Sequence, residues 1–291
     1  MTLSLALHEP DTFSGSSRSF GTGGGSFAAW DAGFGPLGLL NADDRGGFGT
    51  NGKISLTPTV AGSTITRSNV AWTTTLGTPG NVNFAFRSTT PGTMPDDTTG
   101  FSRFTDAQIA ATLLALASWS DVANITFTRV NDGDGYSDGA TMLFGNYAAG
   151  SEGAAAFAYL PNNRATTANS GDVWINSTFT YNQTPVLLGY GQQVLAHEIG
   201  HAIGLSHPAA YNAGPGQPVT YNANAGYFED SRQYTIMSYF SETNTGASFG
   251  SGRYSAAPLM DDIAAAQRLY GANMTTRTGN TTYGFNSNAG Q

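Results

Sequence analysis

Three of the four histidines in this chain of 291 residues, His197, His201 and His207, fall within eleven positions, and Glu198 adjoins the first of them. On an α-helix His197 and His201, four residues apart, project from adjacent turns of one face. Glu198 stands one step round from His197, within reach of a water held by a metal but not placed to ligate the metal itself. Gly204 suits the left-handed conformation that ends a helix and turns the chain, and that turn brings His207 back as a third nitrogen donor. Three imidazoles leave one tetrahedral position open, which a catalytic zinc needs and a structural zinc lacks. A carboxylate at position 198 then suits a general base, taking a proton from water and returning it to a leaving group.

Several elements must carry these residues. The helix bearing the histidines is expected over about 191–204. A second helix starts at Thr105, a good N-cap with Gln108 three residues on to complete a capping box; Ile109, Leu113, Leu116 and Trp119 recur on what should be its buried face. Apolar or alternating runs at 82–86, 125–130, 141–144, 156–160 and 172–176 read as strands. A strand, a helix of this length and another strand imply a right-handed crossover and a parallel pair. A last helix is expected over 258–269, with Pro258 near its first turn. The class is α/β, with a mixed five-stranded sheet and helices above and a lower lobe of turns plus the C-terminal helix. Asp261 and Asp262 sit near the start of that helix, where they favour its dipole and need no role at the site.

The pattern HExxHxxGxxH, with Ile236-Met237-Ser238-Tyr239 following it and Met237 thirty residues after His207, resembles the metzincin metallopeptidases. Longer stretches narrow the resemblance to the serralysins: the run from His197 through His207 to Pro208, the run Tyr227-Phe228-Glu229-Asp230-Ser231-Arg232-Gln233-Tyr234-Thr235 leading into the methionine turn, and Asp261-Asp262-Ile263 with Tyr270-Gly271-Ala272-Asn273. The similarity spans about 51–290 and is densest from 172 onward. It implies a secreted zinc endopeptidase whose ligands are His197, His201 and His207 and whose base is Glu198. Tyr239 would serve as an extra ligand that swings away to hydrogen-bond the tetrahedral intermediate. Met237 would form a soft hydrophobic floor. Ala156, Phe157, Ala158 and Tyr159 would be the sheet edge on which an extended peptide pairs by β-augmentation, and Pro161 just beyond them suits an edge; the same run also fits a buried strand. A peptidase with one narrow substrate, and a latent or inactive zinc-stabilised binding protein, are the rivals. An intact Glu198 and Tyr239 count against the second.

Composition limits the partners. Only 11% of residues are charged, the net charge is −8, and Lys53 is the sole lysine, so nucleic acid and anionic membrane surfaces are not expected partners. Protein or peptide substrates and a monomeric state are expected. No stretch approaches eighteen apolar residues, and the first eleven residues lack the basic and apolar regions of a cleaved signal. Export without such a signal is what the resemblance implies. There are no cysteines, so no disulfide framework. Residues 1–50 read as a Gly/Ser-rich leader or short propeptide in which Phe27, Trp30, Leu37, Leu39 and Leu40 could anchor an arm; 51–271 are the protease domain. Residues 272–291 read as the junction to the calcium-binding β-roll of the family, with the tail 281–291 expected to fray. Calcium is left open as a cofactor without a motif to support it. Asp132-Gly-Asp134-Gly135, with Asp138, lacks the bidentate Glu at the twelfth position and reads as a solvated turn. His8 reads as an exposed leader residue.

Overall fold

The computed structural model describes residues 5–7, 45–161, 169–212, 218–282 and 287–288. His8 and the apolar anchors at 27, 30, 37, 39 and 40 lie outside the described residues, as does most of the tail beyond 282. In chain order the elements are β1 (Leu5–Leu7), α1 (Pro58–Ile65), β2 (Gly80–Phe86), α2 (Asp106–Val122), β3 (Ile125–Arg129), β4 (Met142–Tyr147), β5 (Ala156–Ala158), β6 (Val173–Asn176), α3 (Thr180–Gln183), α4 (Tyr190–Ala202), α5 (Tyr221–Asn224) and α6 (Met260–Tyr270).

All five expected strands form. The sheet order is β1-β5-β6-β4-β2-β3: β2 pairs parallel with β3 and β4, β4 pairs parallel with β6, and β5 runs antiparallel to β6. The crossover through α2 produces the parallel β2–β3 pair, as strand and helix handedness require. β4 is central and buried at all six residues, as a strand covered on both faces must be. The sixth strand comes from the stretch expected to be a leader. Leu5–Leu7 pairs antiparallel with β5, Ala6 opposite Phe157, so the run expected to be the free edge is flanked on both sides among the described residues.

Helix α2 opens with the expected capping box, the Thr105 hydroxyl accepting from the Gln108 N–H and the Gln108 side chain accepting from the Thr105 N–H. Its buried face is the expected one in part: Leu116 and Trp119 are buried and Ile109 is half-buried. Leu113 is 38% exposed, while Gln108, Ala111, Thr112, Ala115, Leu116 and Trp119 point inward. Packing chose small residues because α2 lies close against α4: the Trp119 indole N–H donates to Ala196 O, and the Gln192 amide donates to Ala111 O. Hydrophobicity alone could not reveal that α2 is fitted to another helix.

The C-terminal end of α4 is clamped from below. The Tyr270 hydroxyl on α6 donates to Ile203 O, and the Trp72 indole donates to Ala202 O. The buried guanidinium of Arg45 makes two bonds to the Asp261 carboxylate and lies 3.5 Å from Glu229. The dipole reading of Asp261 and Asp262 is therefore too small. Both are fully buried; Asp261 holds Arg45, and Asp262 holds the turn beneath the histidines.

Candidate active site

The Nε2 atom of His207 lies 3.2 Å from that of His201 and 3.3 Å from that of His197. Zinc–imidazole bonds of about 2.0–2.1 Å in a tetrahedron put ligand nitrogens about 3.3–3.4 Å apart, so both separations from His207 match, and all three ligand atoms lie within 4.8 Å of one another. Each Nδ1 faces a main-chain carbonyl: His197 that of Ile236 at 2.7 Å, His201 that of Leu205 at 2.7 Å, and His207 that of Tyr211 at 2.9 Å. A carbonyl only accepts, so each Nδ1 carries the proton and each Nε2 keeps its lone pair for a metal. Burial pushes all three imidazoles below their usual range, His207 to about 4. The group is thus neutral and ready to ligate.

The helix carrying the first two ligands ends where the spacing requires. Gly204 has φ +114°, its N–H donates to His201 O, and the Leu205 N–H donates to Gly200 O. Those two bonds satisfy the last carbonyls of the helix in a Schellman turn, and Leu205 O is then free to hold His201. Gly200, inside the motif, leaves room for the floor. A Cβ there would lie 2.6 Å from the Met237 sulfur and 3.1 Å from the Trp119 ring, so Met237 packs directly against the helix bearing the ligands.

Asp262 fixes the methionine turn. Its carboxylate accepts from the Thr235 hydroxyl, the Ile236 N–H and the Leu259 N–H, and Ile236 presents the carbonyl that orients His197. Tyr239, half-buried, has its ring centroid 4.4 Å from that of His207 and 6.3 Å from that of His197.

Glu198 is fully buried. Neither of its carboxylate oxygens has a hydrogen-bond partner among the described residues, and burial alone raises its pKa well above the usual carboxylate value. A buried acceptor with nothing to accept from is costly; beside three lone pairs converging on one point, it is what a site for a cation and a water leaves in the protein. The residues present therefore fit zinc.

The chain matches the family model described as metallo-peptidase family M12 over residues 52–248. It is 48% identical over 255 residues to serralysin A of Dickeya chrysanthemi, and 48% identical over 257 residues to metallopeptidase AprA of Pseudomonas marginalis; these alignments take in 86% and 85% of the chain. The chain belongs to the serralysin-type metzincins. It spans about half the length of these curated relatives, 51% and 52%.

The site holds residues that the sequence reading passed over. Besides Asp262, the ring of Tyr211 lies parallel to that of His207, 8° between planes at 5.4 Å, and its hydroxyl donates to Asp230. Arg67 donates to His207 O. Asp262 and Arg67 are hidden by their distance along the chain from the histidines, and Tyr211, four residues after His207, belongs to no motif; the one signal in the sequence is the run of acids and hydroxyls just ahead of Met237. The acidic turn discounted for calcium is engaged locally, with Asp134 paired to Arg103 and Asp138 accepting from Thr89. Among the described residues His197, His201 and His207 are the group found that could hold a metal.

Proposed function

We propose that this domain is a zinc-dependent endopeptidase cleaving internal bonds of extended polypeptides, and that it acts outside the cell as a monomer. The observation that carries the reading is the partnerless buried carboxylate of Glu198 beside three neutral, oriented imidazoles. Zinc held by His197, His201 and His207 supplies Lewis acidity and lowers the pKa of a coordinated water to about 7. Glu198 accepts the proton of the attacking water at its carboxylate. Glu198 then delivers that proton to the leaving amine. The Tyr239 phenol donates to the oxygen that gains charge as the scissile carbonyl becomes tetrahedral. Once Leu5–Leu7 leaves it, β5 (Ala156–Ala158) offers main-chain groups to an extended substrate, a mode that accepts many sequences alike; the Tyr159 N–H and C=O are bonded to Asp172 O and the Gly171 N–H instead. The catalytic unit expected over 51–271 extends back to take in Arg45, whose guanidinium is buried against Asp261. No helix of the described residues is long and apolar enough to cross a membrane.

The zinc-loaded chain is expected to convert unfolded casein into internal fragments, to stop when the metal is chelated with 1,10-phenanthroline, and to resume when zinc is restored. A chain carrying one zinc per molecule that leaves casein intact, with Ala6→Pro/Leu7→Pro as well as without it, would overturn the peptidase reading.

The pairing of Leu5–Leu7 with β5 favours a second reading, in which the intact chain is latent because its own leader takes the place of substrate. Proline donates no hydrogen bond and disrupts a ladder. An Ala6→Pro/Leu7→Pro variant is therefore expected to show an initial rate on a fluorogenic peptide about 10-fold or more above the parent, through a lower KM with kcat unchanged. Equal initial rates for the two proteins would remove the latent reading.

A further inference from the structure

Each zinc-facing imidazole is oriented by one carbonyl, and the three carbonyls are secured in different ways. Leu205 O is fixed by the turn at Gly204, and Ile236 O by Asp262. Tyr211 O, which orients His207, follows the ligand by four residues in a segment with no helix or strand to hold it. Its anchor is remote. The Tyr211 hydroxyl donates to Asp230 Oδ1 at 2.7 Å, the Ser238 hydroxyl donates to the same oxygen at 2.7 Å, and Asp230 Oδ2 accepts from the Gly226 N–H at 3.0 Å. Ser238 lies between Met237 and Tyr239 and accepts from the Phe240 N–H.

From this we infer that Asp230 is a positioning residue, tying the orientation of His207 to the resting place of Tyr239 through Tyr211 and Ser238. The Tyr239 ring sits 4.4 Å from His207 and 5.3 Å from Tyr211, so it is packed against both parts of the brace while its backbone is pinned beside Ser238. Asp230 is fully buried and has no ion pair among the described residues. A charge in that place is poorly suited to stability. Its use is that a carboxylate oxygen can receive both hydroxyls at once, where an amide oxygen would receive them more weakly. The assignment of Tyr239 to turnover rests on the peptidase reading; the orientation of His207 does not.

The test compares Tyr211→Phe, which keeps the stacked ring and the carbonyl and removes only the hydroxyl tie, with Asp230→Asn and Ser238→Ala. Outer partners of metal ligands change affinity or activity by about 10–100-fold. Zinc should pass to a chelator about 10-fold or more faster from Tyr211→Phe and Asp230→Asn than from the parent. On a peptide substrate, kcat should fall about 10-fold or more while KM stays within about twofold. The Tyr211→Phe/Ser238→Ala pair should be no worse than Asp230→Asn alone, since all three act through one carboxylate. Unchanged zinc release in Tyr211→Phe and Asp230→Asn, whatever their melting temperatures, would overturn the inference. Should the parent and the Ala6→Pro/Leu7→Pro variant both hold zinc but cleave nothing, the peptidase reading falls and the zinc release rates still decide the brace.

Discussion

Glu198→Gln should lose about 10²–10⁴-fold in kcat/KM, the range attributed to general acid–base catalysis, while zinc content stays at the parent's level. The amide matches the carboxylate in size but can neither take up nor return a proton. Zinc binding should survive because Glu198 is not among the atoms that meet at the metal position. Folding should survive as well. Both carboxylate oxygens lack protein partners, so the exchange breaks no internal bond. In the metal-free state the variant should be the more stable protein, and the sign follows from linkage. Burial raises the folded pKa of Glu198, so the folded state binds the proton more tightly than the unfolded one. Its unfavourable contribution is absent below the unfolded value near 4.5 and grows as pH rises from there. Melting curves of metal-free parent and variant should thus coincide at about pH 4 and separate in favour of the variant at higher pH. A variant that keeps more than about a tenth of the parent activity would show that another group moves the proton.

The three-histidine group and the Glu198 beside it are legible because the information is local. Four-residue spacing on a helix, a glycine that reverses the chain and a histidine three positions later fix most of the geometry without any tertiary contact. Helix caps and the β2–α2–β3 crossover are local for the same reason, and they form as expected. Residues that act across the fold are not legible. Asp262 lies 26 positions from the Ile236 N–H that it holds, and Asp230 lies 19 positions from Tyr211. In sequence each is an ordinary acid near a helix or a turn. The inward face of α2 departs from its hydrophobic periodicity because burial against α4 selects Ala111 and Ala115 over Leu113. The strand at Leu5–Leu7 is hidden in a segment whose composition signals no structure; its pairing is decided by the exposed ladder of β5, a property of the folded domain.

Gly204 shows how far one position carries both stability and chemistry, and Gly204→Ala should be among the most damaging single exchanges of small residues in the chain. Its φ of +114° lies beyond the left-handed helical basin that other residues visit. An added Cβ would come 2.2 Å from the carbonyl oxygen of Val70 and 3.0 Å from a methyl of Leu269. The first neighbour is backbone and cannot rotate away. Gly252 is a fair control: its φ is +66°, and no atom lies within 4 Å of an added methyl. Gly252→Ala should cost about 1 kcal/mol, the usual penalty for a single left-handed residue. Gly204→Ala should cost about 3 kcal/mol or more, adding a steric term to a larger dihedral one. Typical domains have only about 5–15 kcal/mol to lose. The chemical effect is separate from the loss of stability. Displacing residue 204 moves Leu205 O away from His201 and misdirects the chain on its way to His207, so two ligands lose their alignment together. Denaturant melts with and without zinc distinguish the two effects. In the parent and in Gly252→Ala, zinc should raise the midpoint by the same increment; in Gly204→Ala the increment should shrink. An undiminished increment would mean that the third ligand finds its place without the turn.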